Sequence, residues 1–94
     1  MPMTRKKPAI HPGSGELRFP GYRGPVRYEI EGEISQLRGQ TRLRGAIFTT
    51  PEIAAEAFRE GDGFMRLDET GAEYRLKLLA HTDGGEVVYF EMRP

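Results

Sequence analysis

"AFREGDGFMRLDETGAEYRLKLLAHTDGGEVVYFEMRP", residues 57–94, decides how this chain folds. Its short apolar runs are cut by glycine-bearing turns, the pattern of strands joined by tight connections. "GFMRLD" reads as one strand, and "DETG" as a turn closed by Gly71. "AEYRLKLLAHT" is a longer strand with Tyr74, Leu76, Leu78 and Ala80 on one face. "DGG" then returns the chain into "EVVYFEMR". A three-residue connection with glycine in the left-handed position is a common hairpin closure. It predicts Ala80 opposite Val88, Leu78 opposite Phe90 and Leu76 opposite Met92, with Lys77 facing Glu91. A two-residue connection would oppose Lys77 to Phe90, so the longer one is expected.

Upstream of this meander the period changes. In "TTPEIAAEAFREG", Thr50 suits an N-cap, Pro51 the first helical turn, and Glu52 the positive end of the helix dipole. Ile53, Ala54, Ala57 and Phe58 form one apolar stripe, and Gly61 supplies the stop. Such a helix, about 15 Å long, is marginal alone and must dock on a sheet. Earlier still, Val26, Tyr28, Ile30 and Ile34 alternate with Arg27, Glu29, Glu31 and Glu33, which marks a half-buried strand. "TRLRGAIFTT" follows, with Leu43, Gly45 and Ile47 on one side and Arg42, Arg44 and Phe48 on the other. Pairing the two strands sets Glu31 against Arg44 and Glu33 against Arg42. The expected fold is α+β, a mainly antiparallel five-stranded sheet with one helix in the order ββαβββ, which could roll toward a small barrel.

The first 25 residues hold five of the seven prolines and four glycines, with few apolar side chains. That composition predicts a disordered basic tail over residues 1–16, preceding a single α+β domain over 17–94. Leu17, Phe19 and Tyr22 are expected to pack on the body. Basic and acidic residues balance at fourteen each, so no global charge steers the chain toward nucleic acid or membrane. The basic side chains concentrate in residues 1–28, where six stand against Glu16 alone. No cysteine is present, which excludes a disulfide framework, a thiolate nucleophile and Cys-ligated metal. The longest apolar run, Val87 to Phe90, is far short of the roughly 20 residues of a membrane helix. A cytoplasmic location is expected, and eleven arginines against three lysines point to a GC-rich bacterial genome.

The chain offers little for catalysis. Ser14 and His11 fall in the expected tail, Ser35 in a hairpin loop, and His81 has only Asp83 nearby, so neither a nucleophile–base pair nor a metal site is expected. The function predicted is non-enzymatic, with no cofactor. Glu29, Glu31 and Glu33 form an acidic row, read as a solvated face offset by Arg42 and Arg44. Two RxxxR spacings, Arg23/Arg27 and Arg38/Arg42, make a candidate anion or nucleotide receptor, because guanidinium forks match phosphate oxygens. Eleven arginines yield about one such spacing by chance, so this reading ranks second. Single-stranded nucleic acid, held by Phe19 and Tyr22 among Arg18, Arg23 and Arg27, ranks third. First comes binding to a protein partner or a second copy of the chain. The meander's other face places Leu79 opposite Tyr89 and His81 opposite Val87, and a one-sided sheet would carry only polar residues there.

Overall fold

A computed structural model describes residues 10–32 and 42–93. The order of elements is βββαβββ. Strands β1 (Ile10–Phe19), β2 (Tyr22–Glu31) and β3 (Leu43–Phe48) lead into helix α1 (Pro51–Glu60). Strands β4 (Asp62–Leu67), β5 (Glu73–His81) and β6 (Val87–Arg93) follow it. Around the sheet the strands run β1-β2-β3-β6-β5-β4, every neighbouring pair antiparallel, and β4 returns to β1 to close a six-stranded barrel.

The expected five-stranded sheet is therefore one strand short. The missing strand is β1, whose first seven residues fall in the segment assigned by composition to a disordered tail. Residues 1–9 of that segment lie outside the described residues. The features that suggested disorder have structural uses here. Gly15 pairs with both Val26 and Leu67 at the barrel seam, where a Cβ would overlap the backbone carbonyl of Arg66. Pro12 sits in the part of β1 that pairs with β2 but not with β4, where a missing N–H leaves no ladder bond unmade.

The other elements follow their local signals. The Thr50 hydroxyl accepts a hydrogen bond from the Ile53 N–H at 3.2 Å, and Gly61 ends the helix at φ 81° while donating to the Ala57 carbonyl. The β2–β3 register sets Glu31 opposite Arg44 as expected, while Glu33 lies outside the described residues. Inward side chains fill the barrel: Tyr28, Phe90, Leu17, Ile30, Ile47 and Met65 are the largest fully buried ones. Helix α1 packs against β4, β5 and β6 through Ala54 and Ala57, whose small side chains bring its backbone close. The Leu78 N–H donates to the Gly61 carbonyl at 2.8 Å, fastening β5 to the helix end. Phe58 departs from the expected stripe. It is exposed, with its ring 6.3 Å from that of His81.

Candidate functional site

Three strands, β3, β6 and β5, place the candidate interaction face on the outside of the barrel. The β5–β6 hairpin keeps its expected register through Leu76–Met92, Lys77–Glu91 and Leu78–Phe90. A β-bulge then intervenes. Leu79 is the extra residue, so Ala80 rather than Leu79 stands opposite Tyr89, and His81 stands opposite Val88 rather than Val87. The connection is one residue longer than a three-residue loop allows. Gly85 donates to the Thr82 carbonyl across a turn with Gly84 at φ 77°, and the Glu86 carbonyl accepts from the Thr49 N–H at 2.9 Å. That bond binds the start of β6 to the end of β3, so the surplus residue is absorbed in β5.

The bulge splits the four candidate residues. Leu79, Val87 and Tyr89 remain on the outer face, with Leu79 39% and Tyr89 53% exposed. His81 leaves it for the helix side. Its Nε2 lies 2.9 Å from the Gly85 carbonyl, which makes that nitrogen the donor and the side chain a brace for the turn rather than a base oriented by Asp83.

Neighbouring strands enlarge the face. Phe48 pairs with Val87 and Ala46 with Tyr89, so β3 supplies an apolar margin that the hairpin alone does not show. Exposed Ile10 of β1 reaches the same region. Glu29, Ala46 and Tyr89 stand in one row across three strands, and the methyl of Ala46 leaves a trough between its larger neighbours. The trough holds about 180 Å³, with Ile10, Phe48 and Val87 on its walls. A second, of about 310 Å³, lies between Tyr89, Leu79 and Ala80 on one side and Glu31 and Arg44 on the other. Glu29 and Glu31 are exposed and form no ion pair among the described residues. The alternation of Arg44, Ala46 and Phe48 along β3 was the sequence signal for this margin; their pairing with β6 was not visible locally.

The described candidate arginines, Arg23, Arg27 and Arg42, lie apart. Arg23 pairs with Glu16 at 3.3 Å, and Arg42 with Glu91 at 3.1 Å. Arg27 is exposed opposite Phe48, whereas Arg42 precedes the far end of β3, about 20 Å away at the usual strand rise. Arg38 lies outside the described residues. Among the described residues no group of three His, Asp or Glu side chains is placed to hold a metal ion. No protein-family model, curated protein or solved structure matches the chain.

Proposed function

We propose that this barrel is a non-enzymatic binding domain that docks an extended segment of a partner protein on the outer face around Tyr89. The observation that carries the reading is the continuous apolar margin of Leu79, Tyr89, Val87, Ala46 and Phe48, on a barrel whose outer surface is otherwise rich in charge. Recognition would run through side chains. β3, β5 and β6 each have a neighbour on both sides, so none offers a free edge for strand addition. Tyrosine is a common interface anchor because it presents a large rigid area at low entropic cost. Two apolar side chains of the partner would fill the troughs flanking Tyr89, and a Lys or Arg between them would meet Glu29 or Glu31. That charge pattern is the reason for choosing a basic-apolar segment.

Selection of a random-peptide phage library on the immobilised full chain tests this, with Tyr89→Asp selected in parallel. Peptides carrying a basic residue between two apolar ones should be enriched on the natural chain and not on the variant. No enrichment, or the same peptides on both, would sink the proposal. Sedimentation velocity supplies a separate check. A dimer of the natural chain that becomes monomeric in Tyr89→Asp would make the occupant a second copy and refute the partner segment.

A further inference from the structure

On the barrel wall away from Tyr89, five residues fall into one cross-strand row. Arg23 pairs with Arg18, Arg18 with Phe64, Phe64 with Arg75, and Arg75 with Arg93. The row crosses β2, β1, β4, β5 and β6, about 19 Å at the usual strand spacing. Two of these contacts oppose like charges directly, an arrangement that costs stability and that a purely structural sheet face avoids. Arg23 and Arg18 are compensated, by Glu16 at 3.3 Å and Glu73 at 2.8 Å. Arg75 and Arg93 form no ion pair among the described residues. The Nε of Arg93 is moreover buried without a hydrogen-bond partner among the described residues. An unmet buried donor on a cation is costly, and an anion against the accessible part of the Arg93 side chain would offset the charge.

A cleft of about 510 Å³ opens at these two arginines, within the usual size range of small-ligand sites. Phe64 forms part of its wall, and the Arg18 guanidinium lies 5.0 Å from that ring's centroid. Glu60 and Asp62, at the end of α1 and the start of β4, line it as well.

We infer that this cleft binds a nucleoside monophosphate. Two adjacent guanidinium groups suit a phosphate, which carries nearly two charges and several acceptor oxygens, better than a carboxylate, which one fork satisfies. Phe64, with Arg18 over one face of its ring, offers its edge and the opposite face for a base. Glu60 and Asp62 would repel a simple polyanion, but they can accept hydrogen bonds from the ring and exocyclic N–H groups of a base such as guanine. Only two of the four arginines lack an acid, which fits one phosphate rather than the backbone of a long strand. The same chemistry could come from the end of a nucleic-acid chain, so the test separates the two sources.

The experiment is an amide NMR titration of the full chain with GMP, guanosine, inorganic phosphate and a 5′-phosphorylated single-stranded 12-mer ending in guanine. GMP should shift the amides around Gly63, Phe64, Arg75 and Arg93, with guanosine and phosphate each at least tenfold weaker. Arg75→Gln and Phe64→Leu should each weaken GMP binding about tenfold or more. Without ligand, Arg75→Gln should melt about 1–3 °C higher, because it relieves a like-charge pair. A structural arginine would show the opposite. Equal binding of phosphate and GMP would overturn the nucleotide assignment, and an oligonucleotide bound more than tenfold tighter than GMP would overturn the free mononucleotide as its source. Absence of any shift with millimolar GMP would overturn the site itself.

Discussion

Adjacent residues Leu78 and Leu79 should respond to the same substitution with very different losses of stability. Leu78 is 5% exposed and packs in the barrel interior, while Leu79, the bulged residue, is 39% exposed on the outside. Leu78→Asp removes a buried aliphatic side chain, a loss of about 2–5 kcal/mol with its cavity. It also places a carboxylate where no cation waits, which adds several kcal/mol. A domain of this length is stable by only about 5–14 kcal/mol, so this variant should be largely unfolded. Leu79→Asp forfeits only part of a side-chain burial, about 1 kcal/mol, and its carboxylate reaches water. It should melt about 4–8 °C lower with the fold kept. Circular dichroism melts, with amide spectra to verify the fold, decide the matter. Equal loss of folding would mean that Leu79 is interior, that the bulge is wrong, and that the outer face around Tyr89 does not exist.

Further expectations concern the core and its caps. The Tyr28 hydroxyl is buried without a hydrogen-bond partner among the described residues, so Tyr28→Phe should leave stability unchanged or raise it by up to about 1 kcal/mol in urea unfolding. A loss above about 1 kcal/mol would reveal a partner for the oxygen. Burial, and secondarily the charges of Glu69 and Asp68, raises the Tyr28 pKa above its ordinary 10.0. The folded chain therefore keeps that proton longer than the unfolded one. Stability should hold below about pH 10 and fall as pH rises from there toward the raised folded value, less steeply in Tyr28→Phe; identical profiles would contradict this. Gly45→Ala would drive a Cβ into the Glu29 carbonyl and the Phe90 ring, for a cost of about 1–3 kcal/mol; a change below about 0.5 would refute that packing. Thr50→Ala should cost about 1 kcal/mol through the lost cap, and Thr50→Ser should recover most of it; equal stability of the two variants would count against the cap.

Much of this architecture follows from neighbours in the chain. The helix between Thr50 and Gly61, the alternation in β2 and β3, and the hairpin register up to Leu78–Phe90 all arise from interactions a few residues long, or from two strands joined by one turn. Such signals are legible in sequence because the residues that produce them stand close together. Strand β1 is different. Its Pro12 and Gly15 resemble a disordered tail until β4 arrives across the seam, where Gly15 meets Leu67, fifty-two residues away. The bulge at Leu79 likewise depends on the Thr49–Glu86 bond, and with it the departure of His81 from the outer face. The RxxxR arginines were conspicuous by spacing, yet of the three described, Arg27 and Arg42 stand at opposite ends of β3, whereas Arg18, Phe64, Arg75 and Arg93 share no local motif and meet in one row. Periodicity in the chain sets which side chains point inward and which outward. Which outward side chains become neighbours is decided only when the barrel closes, because closure fixes the register between strands that no short turn connects.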